Sequence, residues 1–129
     1  MENSAGYKWD QKKILVVEDD ESSAYLLGEI LRDTGARVDF TTDGEEAVEF
    51  VREHPETDLI LMDIHLPEMD GFTATREIKT FAKHVVVIAQ TAYGFSIDYQ
   101  QAEQAGCDAF LTKPINRALL LDKMHSYLD

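Results

Sequence analysis

Three mainly apolar runs punctuate the chain: ILVV at 14–17, DLILM at 58–62 and VVVIA at 85–89. None of them alternates with polar residues. Continuous runs of this kind fit strands buried on both faces, as in a parallel sheet covered by helices. Two weaker runs, RVDFT at 37–41 and CDAFL at 107–111, add a fourth and a fifth candidate strand. The segments between them have helical period. Ala24, Leu27, Ile30, Leu31 and Thr34 recur at steps of three and four, with Gly35 where a C-cap glycine belongs. Asp43 and Glu46 stand in capping-box spacing at the head of a second helix. Phe72, Ile78 and Phe81 mark a third, the stretch ending AEQAG at 102–106 a fourth, and Ala118 to Leu128 a fifth.

Five alternations of strand and helix with short links predict a doubly wound α/β fold with right-handed crossovers. Residues 1–11 carry no pattern and read as a linker or expression remnant, with Trp9 as its one bulky anchor, which leaves 12–129 as the domain.

Composition narrows the function. A chain of 129 residues, 44% hydrophobic and 29% charged, is sized and composed for one globular domain. With 12 basic and 25 acidic residues its formal charge is -13, which phosphate backbones and anionic lipid surfaces repel. No nucleic-acid or membrane partner is expected. No apolar stretch approaches the roughly 20 residues that span a bilayer, and no signal-peptide layout opens the chain, so the expected location is the cytoplasm. Cys107 has no second cysteine to pair with and reads as a small core residue. His54, His84 and His125 share no metal-ligand spacing and read as surface residues.

In an open parallel sheet, ligands bind beyond the carboxyl ends of the strands. This sequence places Glu18 and Asp19, Asp63, Thr91, and Lys113 followed by Pro114 at those ends. Taken singly, each has an ordinary reading: an acidic run is usually a solvated helix start, and a lysine before proline a turn residue. The three carboxylates together offer oxygen ligands only, a set suited to a hard cation such as Mg²⁺, which would offset the repulsion of Glu18 and Asp19. Asp20 and Glu21 need no ion, since acids favour the first turn of a helix. Beside a cation, a carboxylate can act as nucleophile toward phosphorus, with a hydroxyl and an ammonium neutralising the remaining oxygens.

VVEDD, DLILMDIHLPEMDGF, VIAQTA and FLTKPI, in this order and separation, resemble the receiver domain of two-component response regulators over residues 13–128. The resemblance implies a flavodoxin-like fold with five parallel strands in the order 2-1-3-4-5 and five helices. Position by position, it implies that Asp63 is the phosphoacceptor and that Glu18, Asp19, Asp63 and the backbone carbonyl of His65 hold Mg²⁺. Thr91 would be the switch hydroxyl, Lys113 the phosphate-binding lysine and Phe110 the rotating aromatic; the Lys113–Pro114 bond is usually cis in this family. Met69, Asp70 and Gly71 match the loop after the acceptor. His65 and Tyr93 would flank the path of the hydrolytic water, and bulky rings there imply slow loss of the phosphoryl group. The implied partner is a histidine kinase or histidine phosphotransfer domain, with pairing of two copies through the helix-four to helix-five face as an option. The wording around Asp63 and the lead-in YKWDQKK are similar to receivers fused behind sensor histidine kinases. No basic helix-turn-helix segment follows the fifth helix, so a transcription-factor output is not expected in these residues.

Two other classes compete. A Mg²⁺-dependent phosphatase with an aspartyl nucleophile needs a second acid two residues on, where this chain has His65, and a substrate cap. A flavodoxin-like nucleotide or FMN binder needs glycines and backbone donors after the first strand, where EDDESS is acidic. The reading adopted is a phosphoacceptor domain, not an enzyme with a separate substrate.

Overall fold

The computed structural model describes residues 6–92 and 96–129, with Ser96 and Ile97 described by their backbone alone. Strands and helices alternate as β1 (Lys13–Val17), α1 (Glu21–Arg32), β2 (Arg37–Thr41), α2 (Gly44–Glu53), β3 (Leu59–Asp63), α3 (Gly71–Phe81), β4 (Val86–Thr91), α4 (Ser96–Ala105), β5 (Ala109–Thr112) and α5 (Arg117–Leu128). The strands form one parallel sheet in the order β2-β1-β3-β4-β5. The expected doubly wound topology and strand order are those observed.

Strand alternation sorts the core into layers. Ile14 and Val16 of β1, Leu59 and Leu61 of β3 and Ile88 of β4 face one side. There they pack with Leu27, Ile30 and Leu31 of α1 and Leu120, Leu121 and Met124 of α5. Leu15, Val17, Ile60, Met62 and Val87 face the other side, against Ala47, Val48 and Val51 of α2 and Ala74 and Ile78 of α3. The apolar runs do not alternate because both faces of the sheet are covered. All five residues of β3 are buried, whereas β2, at the sheet edge, has none. Each fully buried Leu or Ile contributes about 1.5–3 kcal/mol, so the central strands anchor the rim residues that follow them.

The helices start where side chains accept their free N–H groups. Asp20, Asp43, Asp70 and Asn116 are N-caps, accepting from the backbone N–H of Ser23, Glu46, Thr73 and Leu119. The capping box at α2 is shifted: Glu46 Oε1 accepts from the N–H of Thr42 at 2.9 Å instead of reaching Asp43.

Several expectations move by a few residues. β4 runs two residues beyond VVVIA and β5 starts two residues after Cys107. α1 ends at Arg32, and Gly35 lies beyond the cap in a left-handed conformation (φ 81°) that favours glycine. Trp9 is fully buried against α1 and α5, with its backbone N–H donating to Thr34 O at 2.8 Å and its indole to Asp129 Oδ2 at 2.8 Å. Tyr7 stacks on it, so the lead-in carries two anchors. Cys107 is half-buried between two core clusters. His54 is half-buried too, stacked on Phe50 with ring centroids 4.1 Å apart.

Candidate functional site

The parallel register brings the predicted residues to one rim. Val17 pairs with Met62 and Asp63 with Gln90, so Glu18, Asp63 and Gln90 occupy one row across β1, β3 and β4. Glu18 (3% exposed) and Asp63 (5%) are buried acids, while Asp19 is exposed. One carboxylate oxygen from each of Glu18, Asp19 and Asp63 can be chosen so that all three lie within 4.8 Å of one another. Lys113 reaches this group from β5: its Nζ is 2.9 Å from Glu18 Oε1 and 3.5 Å from Asp63 Oδ2. The Lys113–Pro114 bond is cis.

Electrostatics follow from this crowding. Burial pushes the Glu18 carboxyl above its ordinary value; the Lys113 hydrogen bond opposes the shift and the charge of Asp63 adds to it. Burial alone would depress the Lys113 ammonium. Its hydrogen bond to Glu18 and the negative charges of Asp63 and Glu18 together outweigh burial and hold its pKa above the usual lysine value. The site is short of positive charge: three carboxylates face one ammonium.

Backbone geometry holds Asp63 in place. Its Oδ1 accepts from the His65 N–H at 3.0 Å. The loop after it turns back through Glu68, a non-glycine residue at φ 62°, the kind of conformation that persists where surrounding structure enforces it. Gly71 opens α3 so close to the end of β3 that a Cβ there would collide with the backbone carbonyl of Asp63.

Thr91, fully buried at the end of β4, is within 2.9 Å of the His65 ring through its Oγ1 and His65 Nε2. Phe110 is half-buried on β5 and meets Tyr99 of α4, with centroids 4.1 Å apart. Tyr99, Phe110, Ile115 and Leu119 line a cavity of about 290 Å³ between α4, β5 and α5. Thus Glu18, Asp19, Asp63 and Lys113 come together, with His65 and Thr91 beside them. Tyr93 lies outside the described residues. Sequence reasoning did not single out Gln90 or Tyr99. Gln90 carried a signal, a polar residue inside an apolar strand run; Tyr99, on a helix with no clear apolar stripe, carried none.

The chain matches the family described as the response regulator receiver domain over residues 14–125. It is 37% identical over 119 residues to the polar-differentiation response regulator DivK of Brucella anthropi, covering 91% of this chain and 96% of DivK. Among solved structures, it is similar to the receiver domain of a sensor histidine kinase from Pseudomonas aeruginosa, which has a magnesium ion coordinated in its active-site cleft. That similarity has a TM-score of 0.84 at 36% identity and covers 91% of this chain and 97% of the other. A co-crystal structure of the Saccharomyces cerevisiae histidine phosphotransfer protein Ypd1 with the receiver domain of its response regulator Ssk1 matches with a TM-score of 0.85. Identity there is 30%, over 91% of this chain and 88% of the other.

Proposed function

The chain belongs to the response regulator receiver domain family and acts as a phosphoacceptor in two-component signalling; on that premise we propose that Asp63 is the residue that takes the phosphoryl group. The observation that carries this is the placement of Lys113, whose ammonium crosses the sheet rim to lie within reach of both Glu18 and Asp63. Asp63 sits at the end of the most buried strand, with its carboxylate on the rim and one oxygen already oriented by the His65 N–H. That leaves the carboxylate positioned for in-line attack.

In the transfer, an oxygen of Asp63 supplies the electron pair for the new P–O bond. The P–N bond of a phosphohistidine donor breaks, and its pair stays with the departing imidazole. Lys113 follows the charge to the phosphoryl oxygens, and Thr91 offers its hydroxyl to a second oxygen once it leaves His65. The all-oxygen set of Glu18, Asp19 and Asp63, joined by the backbone carbonyl of His65, fits Mg²⁺, since three carboxylates gather there around the single ammonium of Lys113. Bound there, Mg²⁺ supplies positive charge that offsets the carboxylates and the transferring group.

When Thr91 moves, Phe110 can follow it out of contact with Tyr99, reshaping the face made by α4, β5 and α5. Such a switch biases an existing equilibrium, typically by about 1–3 kcal/mol in partner affinity. The partner is a histidine kinase or a histidine phosphotransfer domain, as in the Ypd1 co-crystal. The same face is where two copies would pair, which sedimentation of the phosphorylated chain at rising concentration tests.

The metal role has its own test. With phosphoramidate as donor, labelling of the wild-type chain should require Mg²⁺, and Asp19→Asn should need far more Mg²⁺ for the same rate. Equal labelling in the presence of a chelator would refute the assignment. Sustained release of phosphate from small phosphate esters would instead favour the phosphatase reading.

A further inference from the structure

Gln90 is 1% exposed, and among the described residues neither its Oε1 nor its Nε2 has a hydrogen-bond partner. A buried carboxamide in this condition destabilises the fold by an amount comparable to lost hydrogen bonds, so its presence in a strand of Val, Ile and Ala needs a reason. Its position supplies one. Along β4, Ile88 faces α1 and α5, and Gln90, two residues on, faces the same way. By the same alternation Glu18, Asp63 and Lys113 share that face, following Val16, Leu61 and Leu111. The sheet order places β4 between β5 and β3. The Lys113 side chain must therefore cross β4 to reach Asp63 and Glu18, and Gln90 is the β4 residue on that face in the Asp63 row.

An ammonium has three protons to donate. Lys113 has two acceptors here, Glu18 Oε1 and Asp63 Oδ2, the second at a long 3.5 Å. We infer that Gln90 is a positioning residue for Lys113, its carboxamide oxygen accepting a lysine proton once the phosphoryl group has drawn the ammonium away from the Asp63 carboxylate. The inference rests on the assignment of Asp63 and Lys113 above. The orphaned amide raises the free energy of the resting form, and its satisfaction lowers that of the phosphorylated form, so Gln90 tilts the switch toward the phosphorylated state.

Gln90→Met tests this, because methionine matches the side chain in length and replaces the carboxamide oxygen with a thioether that accepts only weakly. The full chain with Mg²⁺ is titrated with beryllofluoride, a phosphoryl mimic, and melted without it. Gln90→Met should melt at or above the wild-type temperature, since no resting bond is lost, yet bind beryllofluoride about tenfold more weakly, the share of one charge-assisted bond. In the wild-type chain the Gln90 side-chain amide resonances should shift on beryllofluoride addition. A residue that merely fills space would not give opposite effects on melting and binding. Unchanged binding, or a lower melting temperature with unshifted amide resonances, would overturn the inference. If wild-type chain fails to bind beryllofluoride while Asp63→Asn behaves identically, the assignment of the site itself has failed. Wild-type binding with an indifferent Gln90→Met refutes this inference alone.

Discussion

On the proposed assignment of Asp63, the contact between His65 and Thr91 bears on how long the phosphoryl group lasts. Their side chains meet at 2.9 Å, and the His65 backbone N–H bonds Asp63, so the imidazole engages the hydroxyl next to that carboxylate. His65→Ala should remove this contact and open a path for water, shortening the phosphoryl lifetime several-fold in a decay assay; an unchanged lifetime would contradict the role. Tyr93→Ala is expected to act the same way. The site was readable at this scale because acids, hydroxyl and lysine are chemically distinctive and strand ends converge. The His65–Thr91 contact was not readable, since it depends on a rotamer in a loop. Cys107 illustrates a half-buried thiol: burial pushes its pKa up to about 11, with Thr75 and Lys79 opposing only in part. Because the folded state holds this proton more tightly than the unfolded chain, the associated stability is present below pH 9 and is lost as pH rises toward 11. Alkylation at pH 8 should be correspondingly slow in the folded domain and fast in denaturant.

Among elements, the caps and tight approaches determine how well the rim is held. Asp70 caps α3 immediately after the loop that follows Asp63, and Asp70→Ala should lower stability by about 1 kcal/mol, read as a drop of a few degrees in melting temperature. Gly71→Ala should be far worse, because the added methyl meets the Asp63 carbonyl directly. Asp20 at α1 has its carboxyl held below the usual value by the backbone and hydroxyl of Ser23. Its contribution is present above the ordinary aspartate pKa and disappears as pH falls through the lowered one. The three central strands were legible because apolar runs covered on both faces leave a signal without a phase, while β2 and β5, less covered at the sheet edges, left weaker ones. Asp63 and Thr91, read as strand ends, do close β3 and β4 by backbone pairing, whereas the start of β5 was not legible, since Cys107 and Asp108 continue its pattern without joining the strand. α4 gave only its last turn, as its surface carries no clear apolar stripe.

At the scale of the whole molecule, α5 carries two features, one side of the cavity shared with α4 and β5 and part of the surface that buries Trp9. Trp9 ties the lead-in to the last residue through Asp129 Oδ2, which also accepts from His125 Nδ1 at 2.6 Å. The hydrogen bonds from Trp9 and His125 hold the Asp129 carboxyl below its ordinary value, so this clasp loosens as pH falls through that lowered pKa. The lead-in marked Trp9 as an anchor but gave no hint of Tyr7 or of the α1 and α5 surface that receives the pair, because that surface is assembled only by the fold. Beryllofluoride should alter hydrogen exchange in β4, α4 and β5 while leaving Trp9 and its neighbours in α1 unchanged. Protection changes spread evenly over the chain would contradict a local switch.

The residue to which phosphorus becomes attached decides between Asp63 and every other candidate. The chain, incubated with a small phosphodonor and Mg²⁺, is digested and its acid-labile, hydroxylamine-sensitive adduct mapped by mass spectrometry. The predicted result is one adduct on Asp63, absent in Asp63→Asn. An adduct on any other residue, or one that persists in Asp63→Asn, would contradict the account.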